Sequence, residues 1–179
     1  MNIDGFIYQK IDVDGVKINC ATGGNGPALL LIHGYPENHL MWHELAPSLA
    51  ENFQVVCPDL RGYGDSDKPA SSANHTTYSK RTMALDMIKV MDALGHDAFY
   101  VAGHDRGARV THRLCLDHPM RVKKAAVLDI VPTHQIYMTA GREIATDYYH
   151  WFFLIQPSPL PERLIGNDPT FYINWTLGG

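Results

Sequence analysis

The sequence has no long apolar run and no secretory segment at its amino terminus. None of its hydrophobic stretches approaches the roughly 20 residues that span a bilayer, and the opening MNIDGFIYQK has no basic segment followed by an apolar one. The net charge is −4, so the chain has no positive excess that would favour nucleic acid or an anionic membrane. We therefore expect a cytoplasmic protein that binds neither of them.

Patterns for disulfides, metals and cofactors are also missing. The three cysteines, at 20, 57 and 115, show no C-x-x-C spacing, which predicts reduced and mostly buried thiols. The ten histidines include no H-E-x-x-H motif, and we expect most of them at the surface or at helix caps. A phosphate-binding loop and a dinucleotide fingerprint are absent from the sequence too. We predict that the protein uses no metal and no other cofactor.

What is present is the composition of a globular domain. Of the 179 residues, 45% are hydrophobic and 19% are charged, which excludes a disordered chain. After Pro132 the sequence becomes rich in aromatic residues and proline, which predicts helices joined by loops. We therefore predict a core over residues 1–132 and the start of a helical lid over residues 133–179.

Strands and helices alternate along the predicted core. Two β-rich segments joined through Asp14-Gly15 predict an antiparallel hairpin. Short apolar runs then alternate with segments of helical spacing, which predicts an α/β domain with a mostly parallel sheet. The later strands are predicted to begin at residues 28, 53, 98 and 122, and the helices at residues 39, 78 and 106.

Three predicted strands end in residues that carry chemistry. These endings are HGYP at 33–36, GHDRG at 103–107 and LDI at 128–130. In open α/β sheets, ligands bind beyond the carboxyl ends of the strands, so we expect the site here. In the segment DLRGYGDSD, by contrast, we interpret Asp59 and Arg61 as structural residues.

The GHDRG segment matches the G-x-nucleophile-x-G turn between a strand and a helix. A helix amino terminus favours negative charge, so a carboxylate at Asp105 suits this place. A carboxylate can displace a leaving group from a saturated carbon and form an ester, whereas its attack on a carbonyl would give an unstable anhydride. The pattern alone is weak, since an aspartate that caps the helix would also satisfy it. The backbone N–H groups of Tyr35 and Arg106 are the predicted oxyanion hole.

Together these motifs resemble the α/β-hydrolase family in its haloalkane dehalogenase and epoxide hydrolase branch. The likeness is strongest to the fluoroacetate (haloacetate) dehalogenases, and it is carried by LLLIHGYPENHLMWHELAP, DLRGYGDSDKP, GHDRGAR and YHWFF. It implies hydrolysis of a small halogenated carboxylic acid through an ester on the enzyme. The implied roles are the nucleophile for Asp105, binding of the substrate carboxylate for Arg106 and Arg109, the triad acid for Asp129, and halide binding for His150 and Trp151.

The sequence departs from the family pattern at one catalytic position. No residue matches the histidine base that activates water against the ester, and the chain ends at Gly179, inside the expected lid. The resemblance therefore implies that Asp105 is alkylated but that the product is not released. A sheet edge left open by missing strands favours association, so the expected partners are a second copy of the chain or a complementary carboxyl-terminal piece.

Two other functions stay open at this point. An epoxide hydrolase would keep the aspartate and use lid tyrosines to protonate the epoxide oxygen. A non-catalytic fragment or interaction module would explain the missing base. The pair Arg106 and Arg109, together with His150 and Trp151, favours the halogenated acid over the epoxide.

Overall fold

The computed structural model describes residues 2–177. They form two compact units that divide between Pro132 and Thr133. The first unit contains a six-stranded sheet with helices, and the second unit is helical. No helix within residues 2–177 is long and apolar enough to cross a membrane.

The sheet of the first unit has the strand order β1-β2-β4-β3-β5-β6. Strands β1 and β2 form an antiparallel hairpin, β2 pairs antiparallel with β4, and the remaining pairs are parallel. This confirms the predicted α/β-hydrolase-like arrangement of a mostly parallel sheet with antiparallel strands at its start. The strands are β1 Ile7–Val13, β2 Val16–Gly23, β3 Ala28–Ile32, β4 Gln54–Pro58, β5 Phe99–His104 and β6 Val122–Leu128.

The first unit has three α-helices and three short 3₁₀ turns among its described residues. One predicted helix, starting at residue 39, is wrong as a continuous element: a 3₁₀ turn over His39–Trp42 precedes a separate helix. The reason is Pro47, which lacks an N–H and is accommodated only in a first helical turn. The helices are α1 Ala46–Ala50, α2 Lys80–Ala93 and α3 Arg106–Asp117. The other two 3₁₀ turns cover Thr76–Tyr78 and Pro119–Arg121.

The core lies on both faces of the sheet. In β3, Leu30 and Ile32 belong to one buried cluster and Leu29 and Leu31 to another, because successive strand residues point to opposite faces. The apolar stripe predicted for α2 is confirmed, and it packs into the first cluster. Its members are Met83, Met87 and Val90, which are buried, and Leu94, which packs against them.

The cysteines are free, as expected, with Cys20 and Cys57 buried and Cys115 partly buried. Burial raises the pKa of the Cys20 and Cys57 thiols.

Two histidines depart from the expected surface placement, because His33 and His39 are buried. The burial of His33 is satisfied by hydrogen bonds: its Nε2 accepts from the Leu60 N–H at 2.9 Å, and its Nδ1 meets the Gly34 carbonyl at 2.8 Å.

The second buried histidine belongs to a polar network around Asp59. The fully buried Asp59 carboxylate accepts from the backbone N–H of His39 at 2.8 Å, from Asn19 Nδ2 at 2.9 Å and from the backbone N–H of Asp65 at 2.9 Å. The ring Nδ1 of His39 lies 2.8 Å from the same carboxylate. The network ties the loop after β4 to β2, in agreement with the structural role predicted for Asp59.

The Asp59 network makes the free energy of unfolding depend on pH. Burial by itself raises the pKa of Asp59, but the hydrogen bonds from His39, Asp65 and Asn19 outweigh it and hold the pKa at about 2, below the ordinary 3.8. A depressed folded-state pKa gives stability that is present above pH 4 and lost as the pH falls towards 2, here about 2 kcal/mol. Urea unfolding at pH 7, 4 and 2.5 measures this loss.

The control for that measurement is a nearby exposed carboxylate. Asp59→Asn should lower stability at pH 7 and make the loss of stability below pH 4 smaller than in the parent. Asp65→Asn changes an exposed side chain of the same loop and should leave the pH dependence unchanged. An Asp59→Asn chain that loses as much stability between pH 4 and 2.5 as the parent would contradict the role of the network.

The second unit consists of short helices joined by loops. Aromatic rings pack together within it: Tyr137 and Trp151 have ring centroids 5.8 Å apart, and Phe153 and Tyr172 have centroids 6.0 Å apart. The helices are α4 Thr133–Thr139, α5 Arg142–Asp147, α6 Tyr149–Phe153, α7 Leu160–Asn167 and α8 Pro169–Leu177.

Candidate active site

The three strand endings singled out in the sequence lie next to one another. Strands β3, β5 and β6 are neighbours and run parallel, so their carboxyl ends meet at one edge of the sheet. Hydrogen bonds join the endings there: the Tyr35 N–H donates to Asp105 Oδ2 at 3.0 Å, and the Asp105 N–H donates to the Leu128 carbonyl at 3.1 Å. The first unit therefore assembles a single candidate site from segments far apart in the chain.

Asp105 occupies a strained turn between β5 and α3. Its φ of 43° and ψ of −112° lie outside the regions that non-glycine residues usually adopt. The two flanking glycines permit this close turn. A Cβ at Gly103 would overlap the Gly107 carbonyl, and a Cβ at Gly107 would overlap the backbone carbonyl of Ile32 on β3.

Gly107→Ala tests how tightly this turn is packed. Since the added methyl group would meet backbone rather than a movable side chain, we expect a loss of about 1–3 kcal/mol in unfolding free energy. Gly166→Ala is the matched control: that glycine lies in α7 with open space around its Cβ position, and alanine should be neutral or stabilising there. Equal stabilities of the two variants in urea unfolding would count against the close packing.

The Asp105 carboxylate does not cap the helix that follows it. Asp105 stands at the N-cap position of α3, yet its side chain makes no capping hydrogen bond. The carboxylate instead accepts the Tyr35 N–H, and the side chain is partly buried. The simple alternative of a capping aspartate is therefore not what the structure shows, and the carboxylate is held at the amino end of a helix, where negative charge is favoured.

Two arginines lie in the first turn of α3, directly after Asp105. The Arg106 guanidinium stacks over the Tyr35 ring, 4.9 Å from its centroid. Arg109 is buried, with 8% of its surface exposed, and its Nη1 donates to the Val131 carbonyl at 2.8 Å. Burial of a guanidinium in the helix that starts at Asp105 creates a positive environment for an anion.

A carboxylate–imidazole pair that the sequence did not predict lies beside the turn. Glu37 Oε2 accepts the Gly34 N–H at 3.1 Å and lies 3.2 Å from His104 Nδ1. His104 Nε2 in turn lies 3.9 Å from Asp129 Oδ2. The only sequence signal for this pair is position, since Glu37 directly follows one of the strand endings and His104 lies within another. The pair ties the loop after β3 to the turn that carries Asp105.

Asp129 lies immediately after β6, as the sequence predicted for it. Its φ is 57°, and 86% of its side chain is exposed. The His104 imidazole lies 3.9 Å from its carboxylate. The role of Asp129 as the acid of a triad stays a prediction.

His150 and Trp151 belong to the second unit, where they sit next to each other on α6. Both side chains are partly buried. The His150 ring lies near the rings of Tyr148 and Tyr149, with centroids 6.2 Å and 5.9 Å away. Aromatic packing thus accounts for part of their surroundings, and halide binding by this pair stays a prediction.

Metal ligands are not grouped in the part of the chain that the structure describes. No cluster of three or more His, Cys, Asp or Glu side chains within residues 2–177 could hold a metal ion. The charged residues that directly follow β5 at the sheet edge are Asp105, Arg106 and Arg109.

Comparisons with known proteins agree with the resemblance inferred from the motifs. The family model described as alpha/beta hydrolase fold matches residues 27–179. A fluoroacetate dehalogenase from Burkholderia sp is 52% identical over 176 residues, which cover 98% of this chain and 58% of that protein. A soluble epoxide hydrolase from Corynebacterium sp. (strain C12) is 39% identical over 125 residues, which cover 70% of this chain and 42% of that protein.

A solved structure is similar over nearly the whole chain. ALR0039 from Nostoc sp PCC 7120, whose description assigns it to the alpha/beta hydrolases, has a TM-score of 0.96 and 57% sequence identity, and the match covers 99% of this chain and 61% of that one. The chain thus spans about three fifths of the length of the fluoroacetate dehalogenase and of this structure. The similarity extends over both compact units.

Proposed function

The chain belongs to the α/β hydrolase fold family, and on that premise we propose that it attacks a small halogenated carboxylic acid, such as fluoroacetate, with Asp105. The observation that carries the proposal is the Asp105 carboxylate itself. It sits in a strained turn, leaves the helix uncapped, and is accompanied by Arg106 and the buried Arg109. The 52% identity to a fluoroacetate dehalogenase supports the same substrate class.

The proposed first step is a displacement at saturated carbon. The Tyr35 N–H holds Asp105 Oδ2, so Oδ1 attacks the α-carbon of the acid. A carbon–oxygen bond forms while the carbon–halogen bond breaks, and the halide leaves with the bonding electron pair. Arg106 and Arg109 bind the substrate carboxylate, which offsets its repulsion by Asp105 and aligns the α-carbon for attack.

The proposed second step is hydrolysis of the ester. Water attacks the carbonyl carbon of the Asp105 ester, and the backbone N–H groups of Tyr35 and Arg106 stabilise the oxyanion. A 2-hydroxy acid leaves and the carboxylate is restored. The role proposed for Asp129 is to orient an imidazole that takes the proton of this water.

His150 and Trp151 are the proposed halide-binding pair. Fluoride is small and strongly hydrated, so its departure requires N–H donors that replace water. An imidazole and an indole both supply such a donor. Trp151→Phe removes the indole N–H and keeps a smaller aromatic ring, and it should slow reaction with fluoroacetate more than reaction with bromoacetate.

Hydrolysis is expected to be the slow step for this chain. The His104 imidazole lies near Asp129, but its Nδ1 also faces the Glu37 carboxylate. A ring engaged by two carboxylates is poorly placed to activate water. We therefore propose that the Asp105 ester accumulates.

The test is direct detection of that ester. The chain is incubated with chloroacetate or fluoroacetate, and mass spectrometry of the intact chain and its peptides locates any added carboxymethyl group. The expected result is one group per chain, on the peptide that contains Asp105, with release of halide in equal amount. An unmodified Asp105 after prolonged incubation with all haloacetates would overturn the proposal.

Epoxide opening is the second candidate, favoured by the similarity to a soluble epoxide hydrolase. The same aspartate would then form a hydroxyalkyl ester, whose mass differs from that of the carboxymethyl ester. Styrene oxide in a parallel incubation separates the two reactions. Faster modification by styrene oxide than by haloacetates would favour the epoxide.

The partner we propose besides substrate is a second copy of the chain or a complementary segment that pairs with β6. This strand is an edge of the sheet, and its Val127 and Leu128 are 52% and 44% exposed. Exposed edge strands with apolar side chains favour pairing. Light scattering after gel filtration measures whether the chain self-associates.

A further inference from the structure

We propose that the side chain of Tyr35 positions the Arg106 guanidinium for the carboxylate of the substrate, and so sets the preference of the site for an acid over its amide. The inference rests on the proposed function, because it assigns a positioning role within the same site. The sequence singled out Tyr35 for its backbone N–H alone. The observation that carries the inference is the stack of the guanidinium over the Tyr35 ring, 4.9 Å from its centroid.

Tyr35 holds both the nucleophile and the cation that follows it. Its backbone N–H donates to Asp105 Oδ2 at 3.0 Å, and its ring lies against the Arg106 guanidinium. Tyr35 comes from the loop after β3, whereas Asp105 and Arg106 follow β5. Because one residue makes both contacts, a single short link sets where the guanidinium stands relative to the attacking carboxylate. Alignment of a bound acid for attack depends on that relation.

The turn that carries Tyr35 is closed by hydrogen bonds. The Glu37 N–H donates to the Gly34 carbonyl at 3.2 Å, and the Gly34 N–H donates to Glu37 Oε2 at 3.1 Å. The same carboxylate lies 3.2 Å from Nδ1 of His104, the residue before Asp105. A Cβ at Gly34 would lie 2.8 Å from the Asp105 Cβ, so the turn packs directly against the nucleophile. The Tyr35 ring therefore projects from a backbone that is fixed relative to Asp105.

The stack orients Arg106 without using its N–H donors. Among residues 2–177, no hydrogen bond and no ion pair engages the Arg106 guanidinium. Arg109, by contrast, donates to the Val131 carbonyl, and Arg113 pairs with Asp117. The donors of a guanidinium lie in its plane, whereas an aromatic ring contacts its face. Stacking thus leaves the donor edge of Arg106 available to a carboxylate, and no carboxylate of the described chain competes for it.

Helix stability does not account for a cation at this position. Arg106 is the first residue of α3, where the helix dipole disfavours positive charge. Both Arg106 and Tyr35 are partly buried, and partial removal of water strengthens the attraction between a cation and a ring. The Tyr35 hydroxyl makes no hydrogen bond within residues 2–177. The ring face, rather than the phenol oxygen, therefore makes the contact with Arg106.

Substitutions at Tyr35 should affect an acid and its amide differently. Tyr35→Leu keeps the backbone N–H and an apolar side chain but removes the aromatic face. Its half-saturation concentration for chloroacetate should rise about tenfold, and its limiting rate should fall only a few-fold. Chloroacetamide carries no charge for the guanidinium to bind, so both values should change at most a few-fold. Tyr35→Phe keeps the face and should restore the half-saturation concentration to within about twofold of the parent's.

The first experiment measures ester formation in single turnover. The rate is followed against the concentration of chloroacetate and of chloroacetamide, and peptide mapping confirms modification at Asp105. Tyr100→Leu is the matched control, because it removes a ring near the start of β5 that lies 5.7 Å from the Lys123 ammonium, outside the site. This control should keep the parent's half-saturation concentration for chloroacetate.

Three results of that experiment would overturn the inference while the proposed function stood. The first is a Tyr35→Leu chain with the parent's half-saturation concentration for chloroacetate. The second is equal slowing of chloroacetate and chloroacetamide, which would indicate a displaced turn. The third is a Tyr35→Phe chain as impaired as Tyr35→Leu, which would assign the effect to the hydroxyl.

The second experiment does not depend on the reaction. Phenylglyoxal labels accessible arginines, and fragment-ion mass spectrometry locates each label. Formate, an unreactive carboxylate, should protect Arg106, and chloride at equal ionic strength should not. Tyr35→Leu should need about tenfold more formate than the parent for half-protection, and Tyr35→Phe should match the parent. Arg142, which is exposed on α5, is the internal control and should be labelled equally in every chain.

Failure of this inference and failure of the proposed function are distinguishable. Half-protection of Arg106 at the same formate concentration in the parent and in Tyr35→Leu overturns the inference, and so does a parent that formate does not protect. If Tyr35→Leu needs more formate while no haloacetate modifies Asp105 in the parent, the positioning of Arg106 by Tyr35 is supported and the dehalogenation proposal fails.

Discussion

Asp105→Asn is expected to abolish ester formation with every haloacetate. Asparagine has nearly the shape of aspartate and can still accept the Tyr35 N–H, but its amide oxygen is a far weaker nucleophile at saturated carbon. The single-turnover rate should therefore fall by at least about a thousandfold. Stability should change little, since the side chain does not cap α3. Intact-mass spectrometry over time gives the rate, and urea unfolding gives the stability.

The control for this substitution is an aspartate outside the site. Asp97→Asn alters an exposed carboxylate that precedes β5, and its chain should be modified at the parent's rate. Ester formation in the Asp105→Asn chain at a comparable rate would place the nucleophile elsewhere. Modification at several acidic residues in the parent would indicate nonspecific alkylation instead.

Arg109→Lys is expected to cause the second largest loss in the rate of ester formation. The lysine keeps the charge, but it loses the planar fork that can bind a carboxylate while one nitrogen donates to the Val131 carbonyl. Misalignment of the α-carbon should slow ester formation from chloroacetate about a hundredfold. Chloroacetamide has no carboxylate for Arg109 to bind, so the rate of its reaction should change by only a few-fold.

Reaction with neutral chloroacetamide and a control substitution at a second arginine distinguish misalignment of the substrate from displacement of the turn. Arg113 lies one turn further along α3, where it pairs with Asp117, and Arg113→Lys should leave both substrates unaffected. Equal slowing of chloroacetate and chloroacetamide in Arg109→Lys would indicate a displaced turn rather than a lost carboxylate contact. Unchanged rates with both would remove Arg109 from the site.

Most of the first unit could be predicted from periodicity and turn residues. The hairpin at Asp14-Gly15 has both residues at positive φ, 55° and 82°, as a two-residue turn between twisted strands requires. The continuous apolar run of β3 predicted burial on both faces, which the two clusters confirm. The helix expected from residue 39 was wrong because apolar spacing carries no information about the break that Pro47 imposes.

The site could be predicted in part. The positions of Asp105, Arg106 and Arg109 follow from one short motif, since a strand, a tight turn and a helix are local features. The pairing of Glu37 with His104 joins residues 67 positions apart. This contact has no local signal, because side chains distant in sequence meet only after the sheet order is set.

The sequence by itself determined the alternation of strands and helices, the strained turn at Asp105 and the two arginines that follow it. Local sterics, glycine placement and helix spacing are sufficient for those features. Only the tertiary structure decided that β3, β5 and β6 are neighbours and that the Tyr35 N–H reaches Asp105. Charges and hydrogen bonds of this kind act over a few ångströms in space, and distance along the chain does not reveal them.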